Sequence, residues 1–122
     1  MNNTITLPIP PSANNLWKPL GKGLAKTSSY KSWLALCSVK LLQIRPDRMP
    51  QATPLAVTII VATSRRRDVD NVIKPSIDML ESCGVIPDDR WVDKVTAKRA
   101  TLDTRLANNT IQIHVEPLHS PQ

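Results

Sequence analysis

Residues 65–89 read RRRDVDNVIKPSIDMLESCGVIPDD, and the rest of the fold can be placed around this stretch. It contains six of the chain's ten acidic side chains, with a segment of helix length between its two acidic ends. Carboxylates so close together repel one another, so cations must hold them. The fixed cations nearby are Arg65, Arg66, Arg67 and Lys74, and a bound divalent metal is the other candidate. We therefore expect the chemistry of the protein to lie here.

The chain as a whole is small and basic. Its 122 residues suffice for one domain with a real core, and 16 Lys and Arg against 10 Asp and Glu give a net charge of +6. Such a charge is typical of proteins with a polyanionic partner, most often nucleic acid, although an indifferent basic surface stays open at this point. The sequence has neither a signal peptide nor a run of transmembrane length, so we expect a cytoplasmic protein without a membrane partner.

Two elements and a long loop are predicted before the acidic stretch. Thr4–Leu7 is a short β-prone run that ends at a proline cluster, because proline removes ladder donors. The loop that follows extends to residue 26 and can either track a phosphate backbone or form a solvated connection; its lysines are Lys18, Lys22 and Lys26. A helix is then predicted to about Ile44, with Ser28 or Ser29 as its N-cap, because apolar residues recur at steps of three and four.

The acidic stretch is predicted to follow a central strand. Leu55–Ala62 is apolar and β-branched with almost no polar side chain, which predicts a strand covered on both faces. Asp68 and Asp70 come next, and residues two apart in an extended segment project to the same side. A helix is predicted from about Asn71 to Cys83, with an irregular or later start because proline is tolerated only in the first turn.

Two further strands complete the predicted fold. A loop with Asp88 and Asp89 leads into a strand over Trp91–Arg99, and Thr110–Glu116 alternates strictly between apolar and polar residues. The resulting order, β-α-β-α-β-β, predicts an α/β (α+β) fold in which a small mixed sheet packs with two main helices. We expect a single domain over residues 1–116 and a flexible tail over residues 117–122.

The acidic residues and one lysine form a pattern that suits metal-assisted chemistry. An Asp-x-Asp alone is a weak signal, and Asp70 could be no more than a helix cap. The combination is stronger: Asp68 and Asp70 at a strand end, Lys74 one helical turn later, and a third acidic site at Asp88 or Asp89. Enzymes that transfer phosphoryl groups need carboxylate oxygens around Mg²⁺ or Mn²⁺, and a lysine can neutralise charge on the phosphate.

At this level of detail the chain resembles the RusA family of Holliday junction resolvases, over nearly its full length. The family's early Thr-Leu-Pro-x-Pro-Pro-Ser is matched by Thr6–Ser12, with asparagines following. Its Arg-Asp-x-Asp-Asn, with a lysine four residues after the second Asp, is matched by Arg67–Asn71 and Lys74. A Gly, apolar residues and an Asp-Asp pair follow in the family as in Gly84–Asp89.

The resemblance implies a function and its residues. It implies an Mg²⁺-dependent endodeoxyribonuclease, with Mn²⁺ as a possible substitute, that acts as a homodimer on branched DNA, without a nucleotide cofactor, in bacteria or their prophages. The implied metal-binding catalytic carboxylates are Asp68, Asp70 and Asp89, with Lys74 as the catalytic lysine. Asn71 and Asp88 would support the site. Asp78 matches an aspartate of the family pattern, but it is equally compatible with a purely structural salt bridge.

The arginines and the loop lysines complete the predicted DNA surface. Arg65–Arg67 can be a solvated turn or can contact phosphates beside the metal site, and we favour the second because positive charge there also keeps the carboxylates ionised. Lys18, Lys22 and Lys26 are assigned to the same role. A second hypothesis is a non-catalytic, structure-selective DNA-binding protein of the same fold. Intact Asp68, Asp70 and Lys74 favour the enzyme, since a pure binder gains nothing from negative charge opposite phosphate.

Overall fold

The molecule is built from a four-stranded sheet, a separate two-stranded hairpin and two helices, as seen in a computed structural model that describes residues 3–63, 68–101 and 104–118. The elements in chain order are β1 (Thr4–Pro8), β2 (Trp17–Leu20), β3 (Gly23–Lys26), α1 (Ser28–Ile44), β4 (Leu55–Ala62), α2 (Ile73–Ser82), β5 (Val92–Arg99) and β6 (Thr110–Pro117). Short 3₁₀ turns lie at Ala13–Asn15, Val69–Val72 and Asp89–Trp91. The predicted order of strands and helices in the main sheet is confirmed.

The main sheet is mixed, as predicted, with strand order β1-β6-β4-β5. β6 runs antiparallel to both β1 and β4, whereas β5 runs parallel to β4. Strand β4 is therefore central, and its residues Val57, Ile59 and Val61 are buried together with the inward side chains of β6.

The prediction that β4 is covered on both faces is wrong in part. Thr58, Ile60 and Ala62, which point to the second face, are only half-buried. Both helices contribute their buried side chains, such as Trp33 and Leu80, to the core on the first face. The apolar run of β4 thus reflects its central position among the strands more than a second covering layer.

The hairpin β2–β3 replaces what the sequence predicted as a loop. Trp17 pairs with Lys26 and Leu20 with Gly23, and Gly21 turns the chain with φ 60. Neither strand shows an alternating pattern, and a proline at position 19 counts against a strand, so periodicity missed it. The base of the hairpin is fixed because Leu16 is buried and its carbonyl accepts a hydrogen bond of 3.0 Å from the Thr27 N–H.

The first helix spans Ser28–Ile44 and ends where predicted, but its N-cap is Thr27, so it begins one or two residues earlier than an N-cap at Ser28 or Ser29 implied. The Thr27 hydroxyl accepts from the Tyr30 N–H at 3.2 Å and donates to the Asn15 carbonyl. A single side chain thus joins the hairpin base to the helix start. At the C-terminal end, Arg45 adopts a left-handed φ of 54.

The second helix begins late and irregularly, as the proline predicted. A 3₁₀ turn over Val69–Val72 precedes α2, which starts at Ile73, so the predicted start at Asn71 is two residues early. Pro75 lies in the first turn, where its missing N–H has no intrahelical acceptor to lose. Gly84 has φ 78 and ends the helix, as predicted for a left-handed stop.

The C-terminal strand extends slightly beyond the predicted boundary. β6 continues to Pro117, and the Leu118 N–H donates to the Pro54 carbonyl at 2.8 Å. β5 begins at Val92, because Trp91 belongs to the preceding 3₁₀ turn. The division into a domain of residues 1–116 and a tail of residues 117–122 stays a prediction, since residues 119–122 lie outside the described part. Among the described residues, neither helix has the length and apolarity to span a membrane.

Candidate active site

The two aspartates of the Asp-x-Asp pattern lie at the entrance to α2. Asp68 has an extended backbone and precedes the 3₁₀ turn that contains Asp70, and both side chains are exposed. The turn is closed by a hydrogen bond of 3.3 Å from the Asn71 N–H to the Asp68 carbonyl. The prediction that both aspartates sit on one extended segment is therefore wrong, and the two-residue rule does not decide their relative direction. Asn71 holds this turn through its backbone.

Lys74 forms an ion pair within α2. Its Nζ lies 3.1 Å from Asp78 Oδ1, an i,i+4 pair in which the lysine is 68% exposed and the aspartate 23%. The other oxygen of that carboxylate, Oδ2, accepts a hydrogen bond of 3.2 Å from the Tyr30 hydroxyl of α1. Asp78 thus joins a buried tyrosine to an exposed lysine, which confirms the structural salt bridge considered for it.

Three other carboxylates come together at the C-terminal end of α2. Glu81 of α2 and the pair Asp88 and Asp89 each place an oxygen within 4.8 Å of the other two. The Asp89 N–H donates to Glu81 Oε1 at 3.3 Å, so the loop after α2 is held against the helix. Among the described residues this is the group with spacing suited to a metal ion. The structure thus brings Asp88 and Asp89 together with Glu81, whereas Asp68 and Asp70 are not part of this group.

Asp88 is occupied with stabilising its own turn. Its Oδ1 accepts from the Arg90 N–H at 3.0 Å and its Oδ2 from Arg90 Nε at 3.2 Å. The bond from the Arg90 backbone lowers the pKa of Asp88, and the Arg90 charge acts in the same direction. Asp88 therefore caps the 3₁₀ turn over Asp89–Trp91. The Asp89 carboxylate takes no part in this cap and is the freer of the two to bind a metal ion.

The Lys74 charge interacts both with Asp78 and with the cluster at the C-terminal end of α2. The hydrogen bond and charge of Asp78 raise the pKa of Lys74, and the negative charges of Asp89 and Glu81 act in the same direction. Lys74 is consequently a cation at neutral pH. It can stabilise negative charge on a bound phosphate, but it cannot accept a proton there.

Glu81 and Tyr30 are functional candidates that the sequence analysis missed. Lys74, Asp78 and Glu81 are spaced i, i+4 and i+7 along α2, so the helical period places them on one face. That spacing was available from the sequence, but the Asp-x-Asp and Asp-Asp patterns at the two ends of the helix were the stronger signals. The contact of Tyr30 with Asp78 spans 48 positions and had no local signal.

The donor set of the cluster suits a hard divalent cation. Mg²⁺ binds carboxylate oxygens at about 2.1 Å, so two oxygens on one ion are at most about 4.2 Å apart. In the cluster, one oxygen from each of the three carboxylates lies within 4.8 Å of the other two, which is close to that value. Small side-chain rotations of exposed Glu81 and Asp89 would close the difference, so the residues present fit such an ion.

The predicted DNA-contacting lysines lie on the hairpin. Lys18, Lys22 and Lys26 are all exposed there, and Lys26 Nζ lies 5.8 Å from the centre of the Trp17 ring. Arg65, Arg66 and Arg67, the predicted phosphate contacts beside the site, lie outside the described residues. Their assignment stays a prediction.

Comparison with known proteins decides the family. The family described as endodeoxyribonuclease RusA matches this chain over residues 8–116, which covers both helices and β4, β5 and most of β6. The chain belongs to the RusA family. A crossover junction endodeoxyribonuclease RusA from Aquifex aeolicus (strain VF5) is 29% identical over 117 residues, covering 94% of this chain and 89% of that protein. One from Enterobacteria phage HK97 is 30% identical over 95 residues, covering 76% and 78%.

The RusA assignment confirms the resemblance found in the sequence and the mixed α+β fold. It also supports nuclease activity, since the family is one of endodeoxyribonucleases. The two relatives come from a bacterium and from a phage. For a RusA protein, an acidic cluster beside a lysine is a reasonable setting for phosphodiester hydrolysis with a divalent metal.

Proposed function

We propose that this chain is a metal-dependent endodeoxyribonuclease that binds four-way DNA junctions and resolves them by paired, symmetric nicks, in the recombination and repair of bacterial or prophage DNA. The observation that carries the proposal is the position of Lys74, whose charge interacts with Asp78, Asp89 and Glu81, in a chain of the RusA family. Both relatives named above are crossover junction endodeoxyribonucleases. Mixing the protein with labelled junction and linear duplex, with and without Mg²⁺, tests it.

The metal site we propose combines the sequence prediction with the structure. Asp68, Asp70 and Asp89 remain the proposed ligands, with Asp88 in support, and Glu81 joins them because its carboxylate lies within 4.8 Å of Asp88 and Asp89. Bound Mg²⁺, or Mn²⁺, would polarise the scissile phosphate and lower the pKa of a water molecule. The chain's own part would be to hold ionised carboxylates in two places, Asp68 and Asp70 before the start of α2 and the cluster of Glu81, Asp88 and Asp89 at its end.

Lys74 is proposed to stabilise charge on the phosphate. The raised pKa of Lys74 keeps it protonated. Its ion pair with Asp78 holds the Nζ end of a side chain that would otherwise move freely. Asp78 is in turn fixed by the buried Tyr30. A preorganised cation of this kind contributes to a transition state because no reorganisation is needed as charge develops.

DNA binding is proposed to use the hairpin lysines together with Arg65–Arg67. Lys18, Lys22 and Lys26 project from a hairpin whose base is tied to α1 through Thr27. A net charge of +6 agrees with a polyanionic partner. The surface therefore combines positive charge for phosphates with a compact acidic centre for a metal.

A homodimer is proposed because resolution needs two cuts related by the two-fold symmetry of a junction, and one chain offers one such centre. The outer side of α1 is the surface we assign to the second copy. Leu36, Val39 and Leu42 are 43%, 54% and 74% exposed there, opposite the buried side of the same helix. A helix apolar on both sides is typical of one that has a partner on each side.

The second candidate is a structure-selective DNA-binding protein without catalysis. It is favoured only by the ion pair of Lys74 with Asp78, which could be purely structural. The cluster of Glu81, Asp88 and Asp89 argues against it, because uncompensated carboxylates weaken binding to phosphates. Cleavage in the presence of Mg²⁺ separates the two.

A further inference from the structure

A cavity of about 310 Å³ lies directly beside the ion pair of Lys74 and Asp78. Three elements line it: the hairpin with Trp17 and Lys26, α1 with Tyr30 and Leu34, and α2 with Asp78, Glu81 and Ser82. Two of them also belong to the candidate active site, since Asp78 holds Lys74 and Glu81 is in the carboxylate cluster. Whatever occupies the cavity therefore lies next to the carboxylate cluster that we propose as the metal site.

The hairpin side of the cavity presents an aromatic ring that is fixed and still accessible. Trp17 is 41% exposed, although its ring meets the buried Tyr30 ring edge-on at 5.8 Å and 78°. Tyr30 in turn stacks with Trp33 inside the core at 6.3 Å. A large exposed aromatic that is held in place by the core is typical of a stacking platform for planar ligands.

The charges of the cavity select what kind of group can enter it. Asp78 and Glu81 repel a phosphate, so the sugar-phosphate chain is excluded from their side. Asp78 accepts bonds from Lys74 and Tyr30, and Glu81 accepts one from the Asp89 N–H. The lone pairs that remain on both carboxylates can accept hydrogen bonds from the amino and imino groups of a nucleobase. Lys26, whose Nζ lies over the Trp17 ring, is placed to take the phosphate of the same nucleotide.

We propose that this cavity holds one unpaired nucleobase of the DNA, stacked on Trp17, and thereby positions the neighbouring phosphate at the carboxylates. The inference rests on the proposed junction-cleaving function. A base can enter only after leaving the stack, and unstacking costs least where pairing is already interrupted, as at a branch point. Trp17 is then a specificity-determining residue that distinguishes a junction from an intact duplex without reading the sequence.

The first test compares binding by Trp17→Ala, Trp17→Phe and Leu20→Ala, without metal so that nothing is cut. Leu20 is a matched control because it lies in the same hairpin and is 66% exposed. Loss of one stacked base should weaken junction binding by Trp17→Ala about tenfold, with duplex binding unchanged. The slope of affinity against salt should also stay unchanged, because no phosphate contact is lost. Trp17→Phe and Leu20→Ala should bind the junction like the wild type.

The second test is photo-crosslinking of wild-type protein to junctions that carry 5-iodocytosine at successive positions. A crosslink to Trp17 or Tyr30 from a base at the branch point is expected, and a crosslink confined to other residues overturns the proposal. So does a folded Trp17→Ala that binds the junction as tightly as Leu20→Ala. If Trp17→Ala does not fold, the crosslink still decides. Wild-type protein that does not cut or prefer junctions would instead refute the proposed function itself.

Discussion

The Tyr30 hydroxyl donates a hydrogen bond to Asp78 Oδ2 at 3.2 Å, while Oδ1 of the same carboxylate lies 3.1 Å from Lys74 Nζ. Tyr30 is fully buried in the contact between α1 and α2, and Lys74 is mostly exposed. Asp78 therefore links the ammonium group of Lys74 to a side chain that is fixed in the core. This carboxylate is a direct side-chain link between the core and the active site.

Removing the Tyr30 hydroxyl should cost both stability and activity. Tyr30→Phe keeps the ring in the core but deletes the bond to Asp78, so the free energy of unfolding should fall by about 1 kcal/mol. Urea unfolding measures this. Junction cleavage should fall by less than it does when Lys74 itself is removed, because the lysine is still present but less firmly held. A Tyr30→Phe protein with unchanged stability would show that the hydrogen bond contributes nothing.

Removing the Lys74 charge should slow cleavage without preventing binding. Lys74→Ala is expected to lower the single-turnover rate on a four-way junction by about 10²-fold or more, the effect of losing one preorganised charge. Lys94→Ala, which removes the same charge from exposed β5, serves as the control and should cut at the wild-type rate. Equal rates for the two variants would reduce Lys74 to a surface lysine.

The Lys74 ion pair should have a characteristic pH dependence. Because the hydrogen bond and charge of Asp78 raise the pKa of Lys74 above 10.5, the stabilisation is fully present below the unfolded pKa and is lost as pH rises through the higher folded value. The difference in unfolding free energy between wild type and Lys74→Ala should therefore be constant from about pH 6 to pH 9 and decrease only above about pH 10.4. A difference that already decreases between neutral pH and pH 9 would contradict the assigned pair.

Two carboxylate variants test separately a metal ligand predicted from the sequence, Asp70, and one proposed from the structure, Glu81. Asp70→Asn should fold and bind junctions at least as well as wild type, since it removes a negative charge facing phosphate, but should not cut. Glu81→Gln should cut, with the Mg²⁺ concentration for half-maximal rate raised about tenfold or more. Retained nicking by Asp70→Asn would exclude Asp70 as a ligand. An unchanged Mg²⁺ requirement in Glu81→Gln would exclude Glu81.

The sequence predicted those parts of the fold whose signals are local. The end of α1, the bounds of β4, the late start of α2 that Pro75 implied and the stop at Gly84 followed from periodicity and backbone restrictions within each segment. The hairpin did not, because its strands are exposed and short and contain a proline, so it lacks an alternating pattern. Its position depends on Leu16 and Thr27 meeting other elements.

For the candidate site too, the sequence predicted the residues with local signals and missed those that depend on distant contacts. Lys74, Asp88 and Asp89 could be selected from residue type and spacing, and the structure places them in one electrostatic neighbourhood with Asp78 and Glu81. The part played by Tyr30 could not be predicted, because its partner is 48 positions away. The prediction that Asp68 and Asp70 share one extended segment failed because the chain turns into a 3₁₀ helix at Val69, which an extended-chain rule cannot anticipate.

The proposed activity is tested most directly by mapping the cuts on a four-way junction whose branch point is fixed in place, with each strand labelled in turn and with linear duplex as the control. A two-fold dimer with one centre per chain predicts Mg²⁺-dependent nicks at symmetric positions on two opposing strands, little or no cutting of the duplex, and no cutting by Asp70→Asn. Sedimentation of the same sample should show two chains per particle. Nicks on a single strand at saturating protein, cutting without any divalent metal, or equal cutting of the duplex would contradict the account.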